Sequence, residues 1–135
     1  MDVKQIAKDT AKTLISYLTY QAMRTVLAQL SETDPPRALW LQQFSARQSF
    51  QDGEAYLRAL LAERADLAYR IMTVREHLAA EVVDYLPEMA RTGIQQANME
   101  HRRNHLERLT SATGPLPVTH PEAGSFLQNP TSEVE

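Results

Sequence analysis

The stretch that decides the fold is Leu67–Leu109, LAYRIMTVREHLAAEVVDYLPEMARTGIQQANMEHRRNHLERL. Its apolar residues recur at Leu67, Ile71, Val74, Leu78, Val82, Leu86, Met89, Ile94 and Ala97, spaced three or four apart with a single step of five. That is the period of an amphipathic helix. With Asp66 as N-cap, the pattern predicts one helix over 66–109, roughly 65 Å long and about twice the diameter of a domain this size. Pro87 lacks a backbone donor and its ring clashes with the carbonyl of Val83, and Gly93 weakens the helix locally, so a kink in the middle is expected. Half of the run should complete a monomer core, and the other half should overhang it.

Working outward, Asp2 with Gln5 resembles a capping box, and from Val3 the pattern is helical to about Leu30. At 100° per residue Ala7, Ala11, Leu14, Ile15, Leu18, Ala22 and Val26 form the expected core stripe. A second stripe lies nearly opposite, made of Ile6, Thr10, Thr13, Tyr17, Tyr20 and Arg24. Two readings of it stay open. The tyrosines pack within the monomer or a dimer seam with their hydroxyls at the edge, or they form a groove wall whose rings take apolar side chains while the hydroxyls bond a peptide backbone. Ser31–Pro36 is a breaker, with Asp34 as N-cap and Pro35 at the first helical position. A short helix over 35–44 should bury Leu39, Trp40 and Phe44. A polar loop carrying Phe50 and Gln51 leads to Asp52, which caps a third helix over 52–63 with Tyr56, Leu57, Leu60 and Leu61 inward. A turn at Arg64–Asp66 separates it from the long run, although neither Gly nor Pro marks the place. After Thr110 the periodicity stops. Four of the seven prolines fall in 111–135, which predicts a disordered, acidic, Pro-rich tail after a helical domain over 1–110.

The composition excludes several functions. At 135 residues the chain is long enough to bury a core without staples, and having no cysteine it can form neither a disulfide nor a thiolate metal site. The absence of cysteine suits a reducing cytoplasm; no stretch approaches the ~20 apolar residues of a membrane span, and the N-terminus lacks the apolar core of a secretory signal. Three of the 17 acidic residues, Glu122, Glu133 and Glu135, follow Thr110, leaving 14 against 14 basic ones in the body, a poor polyelectrolyte for nucleic acid.

No catalytic constellation is present. A di-iron bundle needs Glu-x-x-His pairs, and none of His77, His101, His105 or His120 has a Glu three residues earlier. His101 and His105 are four apart, but Arg102 and Arg103 flank them and no zinc-protease Glu follows. There is no Gly-rich phosphate loop and no nucleophile elbow, so the reading is a non-enzyme without metal or cofactor. Arg102, Arg103 and Arg108 could touch phosphates in a helical, dimeric nucleic-acid-binding or regulatory protein. They sit among Glu100 and Glu107, and a C-terminal helix dipole accounts for Arg108. The apolar overhang from about Met89 to Met99 instead predicts a homodimer, whose two-fold axis would create a crease shared by both protomers.

The blocks YLTYQAMRTVLAQL (17–30), RIMTVREHL (70–78), YLPEM (85–89) and TGIQQANMEHRR (92–103) resemble RbcX, the family of RuBisCO assembly chaperones of cyanobacteria and plastids. The resemblance covers about residues 1–110. It implies an all-α, four-helix bundle-like protomer with one long kinked C-terminal helix, paired as a boomerang-shaped homodimer. Such a dimer holds the extended C-terminal peptide of the RuBisCO large subunit in a central groove after chaperonin release. A peripheral surface clamps adjacent large subunits on the way to the octameric core, and small subunits later displace the chaperone. Cytoplasmic location, with association with carboxysomes, goes with that role, as do carbon dioxide fixation and photosynthesis. By position, Thr13, Tyr17, Tyr20, Phe50 and Gln51 match the groove, and Gln29, Glu32, Arg70 and Arg102 match the peripheral partner-binding surface. Phe50 stands where an aliphatic residue is expected, and Asp34 where Asn is expected.

Overall fold

The computed structural model describes residues 1–112, so all but the first two residues of the expected tail lie outside the described residues. Every regular element among them is helical: α1 (Val3–Thr33), α2 (Pro35–Ala46), α3 (Gly53–Glu63), α4 (Ala65–Val82) and α5 (Leu86–Ala112). By the density of its contacts the chain divides into two units, Met1–Asp84 and Tyr85–Glu135.

The first unit is built around α1, which packs against α2, α3 and α4, while α3 also packs on α4. Asp2 caps α1 as expected, its carboxylate accepting from the amides of Lys4 and Gln5. The helix runs three residues past the expected end, because Ser31 and Thr33 fold their hydroxyls back onto the carbonyls of Leu27 and Gln29 without interrupting it. Pro35 sets the end by forcing Asp34 out of helical geometry (φ −153°, ψ 76°). Asp34 then closes one helix and opens the next, its amide donating to Leu30 and its carboxylate accepting from Arg37.

The core face of α1 is the expected one, but its extent is not. Leu18, Ala22 and Val26 are buried, joined by Thr19, Met23 and Leu30, whereas Ala7, Ala11 and Ile15 are exposed. The reason is length: α1 is roughly 45 Å long at 1.5 Å per residue, and the shorter helices beside it cover only its C-terminal half. Tyr56, Leu57, Leu60, Leu67, Ala68 and Ile71 come from α3 and α4, and Ala38, Leu41 and Phe44 from α2. Leu39, expected inside, is 54% exposed, and Leu41 takes the buried place two residues on. Trp40 is half-buried, stacked on Phe44 with ring centroids 5.2 Å apart. The Tyr56 hydroxyl is buried against Ser45 Oγ at 2.8 Å, and burial pushes the phenol above its ordinary pKa while that hydrogen bond opposes the shift.

The separation of α3 from α4 falls at Arg64 alone (φ −140°, ψ 85°). Asp66 is not the N-cap: it lies in the first turn of α4, which has no side-chain cap, and it pairs with Arg37. The Arg64 guanidinium lies 4.5 Å from the centre of the Trp40 ring. The break is thus held by two contacts to α2, which explains why no turn residue marks it.

The run expected as one kinked helix is realised as two, with the chain leaving the helix over residues 83–85. The break precedes Pro87 because its ring excludes the Val83 carbonyl as a partner and its nitrogen has no hydrogen to give it. In the second position of α5 its missing donor costs nothing. Of the second unit the described residues are Tyr85 and α5, and no residue of α5 is buried.

Candidate functional site

The expected groove residues fall on one region of the first unit. Thr13, Tyr17 and Tyr20 occupy successive turns of α1, and Thr13 Oγ1 donates to the carbonyl of Asp9 at 3.2 Å. Tyr17 is 57% exposed. Its hydroxyl oxygen accepts from Gln21 Nε2 at 3.0 Å, which leaves the hydroxyl hydrogen free to be given to a ligand carbonyl. Tyr20 is half-buried and meets Phe50 edge to face, centroids 5.1 Å apart at 74°, while the Arg24 guanidinium lies 6.0 Å from its ring. Phe50 in turn packs on the core residue Tyr56 at 4.4 Å. The Tyr20–Phe50 pair is therefore anchored on the core through Tyr56, whereas Tyr17, one turn earlier on α1, is open to solvent.

Gln51 is exposed and is tied to α1 through its backbone, whose carbonyl accepts from Ser16 Oγ at 3.3 Å. Ser16 was not among the expected site residues, and neither was Gly53. A Cβ at Gly53 would stand 2.9 Å from Thr19 Oγ1 and 3.2 Å from Ser16 Cα, so only glycine lets α3 start this close to α1. Asp52 caps α3 as expected, accepting from the amides of Glu54 and Ala55 at 3.1 and 3.2 Å.

Two further residues lie under this region. Arg75 of α4 reaches Thr19 Oγ1 at 3.0 Å and grips both oxygens of Glu54 at 2.8 and 3.2 Å. That hydrogen-bonded guanidinium holds the Glu54 carboxyl below its usual range, and partial burial opposes the shift.

Of the expected peripheral residues, two are brought together: Arg70 Nη2 donates to Gln29 Oε1 at 2.7 Å, joining α4 to α1 on the surface. Glu32 is exposed one turn further along α1. Arg102 belongs to the second unit, exposed on α5, where the neighbouring Arg103 pairs with Glu100 at 2.5 Å. Among the described residues no group of three His, Cys, Asp or Glu side chains could hold a metal ion, and no helix is long and apolar enough to cross a membrane.

These features place the chain among all-α proteins that display aromatic rings and hydroxyls on a helix face, with a loop docked beside them. The profile of the RbcX protein family matches residues 1–111. The chain belongs to the RbcX family. It is 66% identical over 113 residues to the RuBisCO chaperone RbcX of Thermosynechococcus vestitus, covering 84% of this chain and 90% of that one. To the RuBisCO chaperone RbcX of a Nostoc species it is 67% identical over 119 residues, 87% of this chain and 89% of that one. A crystal structure of RbcX in complex with substrate superposes with a TM-score of 0.78 at 53% identity, over 82% of this chain and 99% of the other.

Proposed function

We propose that the chain is a RuBisCO assembly chaperone. It works as a homodimer that binds the extended C-terminal peptide of the large subunit in a central groove and clamps large subunits through a peripheral polar surface. In this way it promotes the octameric core and is later displaced by small subunits. The observation that carries this reading is the similarity along nearly the whole chain to chaperones of that name. Its role is non-catalytic, it belongs to carbon dioxide fixation, and its place is the cytoplasm, with carboxysome association.

The side chains support a division of labour. Tyr17, Tyr20 and Phe50 offer apolar area worth about 1.5–3 kcal/mol for each ring a ligand covers fully, and the hydroxyls of Thr13 and Tyr17 with the Gln51 amide can fix the direction of an extended backbone. Binding built on so few contacts is reversible, as an assembly factor requires. Gln29, Glu32, Arg70 and Arg102 form the polar set, which gives specificity and adds avidity once the peptide is held. The alternative nucleic-acid reading is not favoured, since Arg103 is paired with Glu100 and the family's named function is different.

Tyr20→Leu keeps apolar area but removes the ring edge and hydroxyl, and is expected to weaken binding of the C-terminal peptide of the large subunit about tenfold with the helical content unchanged. Gln29→Ala and Arg70→Ala are expected to spare peptide affinity and to reduce octamer formation on native gels. Unchanged affinity in Tyr20→Leu removes it from the site, and equal loss in both assays for Gln29→Ala contradicts two separable surfaces.

A further inference from the structure

The groove residues come from two places far apart in sequence, α1 and the loop before α3, and something must hold the loop in register. We propose that Ser16 is a positioning residue: its hydroxyl clasps the loop over residues 50–53 to α1 and thereby presets Phe50 and Gln51 against Tyr20 for an extended apolar peptide. This rests on the groove reading given above.

The geometry is a single hydroxyl used in both directions. Ser16 Oγ accepts from the Gly53 amide at 3.0 Å and donates to the Gln51 carbonyl at 3.3 Å. It bridges the two residues on either side of Asp52, and so closes the end of the loop as a unit. Chain distance makes this costly to do any other way, because the contact spans 35 and 37 residues. Backbone groups in a loop that water does not fully cover need such partners. Ser16 is suited to the task by place, since at 100° per residue it lies between the aromatic face of Thr13, Tyr17 and Tyr20 and the core face of Leu18, Thr19 and Ala22.

The neighbouring contacts show that the clasp has a built seat. Gly53 is buried and its missing Cβ lets the amide come within reach. Thr19, one turn from Ile15, donates to the Ile15 carbonyl at 2.7 Å and accepts from Arg75, which also holds Glu54 at the start of α3. The first residues of α3 are thus fixed from two sides, by Ser16 through the backbone and by Arg75 through Glu54. The loop's other end carries Phe50, which rests on Tyr20 and Tyr56. A loop held at both ends binds without first being ordered, and avoiding that entropy is where its effect on affinity lies.

The test uses the full chain, a synthetic peptide of the C-terminal residues of the RuBisCO large subunit, and four proteins: wild type, Ser16→Ala, Ser16→Thr and Tyr20→Leu. Ser16→Ala is expected to weaken the peptide about three- to tenfold, the scale of one hydrogen bond, and to melt several degrees lower with its helical content unchanged. Its Gly53 amide should exchange with solvent faster by NMR, whereas amides of Leu57 and Leu60 should not. Ser16→Thr, which keeps the hydroxyl, restores affinity. Wild-type affinity in Ser16→Ala beside a loss in Tyr20→Leu overturns the clasp and leaves the groove standing. If neither Tyr20→Leu nor Ser16→Ala changes affinity, the groove reading itself fails. Where Ser16→Ala does not fold, the wild type alone decides: a Gly53 amide protected in the free chain supports the clasp, and one that exchanges as an open loop amide overturns it.

Discussion

Glu54 illustrates how much of this protein's behaviour sits in single side chains. Its carboxylate is gripped by both terminal nitrogens of Arg75 and held below the usual carboxylate range. A group whose folded pKa is depressed adds stability that is present above its unfolded value, about 4.3, and is lost as pH falls through the folded value. The melting temperature of the wild type is therefore expected to fall more steeply below about pH 4.3 than that of Glu54→Gln, and parallel slopes would contradict a role for the pair. Because Glu54 is half exposed, the difference should be small and should shrink with added salt. At this scale the sequence was legible only in part. Asp2 and Asp52 declared themselves as caps by type and place, and family resemblance put Tyr20 with Phe50. Ser16, Gly53 and Arg75 gave no local sign, because each acts through a partner more than 20 residues away.

Helices themselves were more readable than their ends. The periodicity located the helical stretches of the described residues but joined α4 and α5 into one, since a repeat of three and four continues across a break that it does not register. Ends depend on contacts that periodicity does not carry, and Arg64 is the clearest instance, its break secured by the Trp40 ring and by the Asp66–Arg37 pair. Pro87 is the opposite case, a local signal whose effect lies a few residues upstream. Alanine in its place would restore a donor for the Val83 carbonyl and relieve the ring clash, so Pro87→Ala is expected to join α4 and α5 into a continuous helix through residues 83–85. In NMR exchange the amide that this substitution introduces should be protected along with those around it. If that amide exchanges freely, the break is written by Asp84 and Tyr85 and not by the proline.

On the scale of the molecule, the first unit encloses a buried core while α5 buries none of its residues. Met89, Ile94, Met99, Leu106 and Leu109 are all about half or more exposed on α5. At 100° per residue Leu86, Ala90, Ile94 and Ala97 share one face, and Met99 and Leu106 lie on the other side. A helix apolar on two sides asks for neighbours on both, and a second copy related by a two-fold axis is the economical supply. The excess length of Leu67–Leu109, legible in the sequence itself, thus bears on assembly more than on ligand contact. Ile94→Asp places a charge in whatever seam that face makes, and burying an unpaired charge costs several kcal/mol. Wild type is expected to sediment as a dimer at micromolar concentration, and Ile94→Asp as a monomer with its far-UV circular dichroism unchanged. A dimer in Ile94→Asp but a monomer in Leu106→Asp would move the seam to the other side of α5. Dimers in both would leave α5 outside it, and the shared groove would then need another axis.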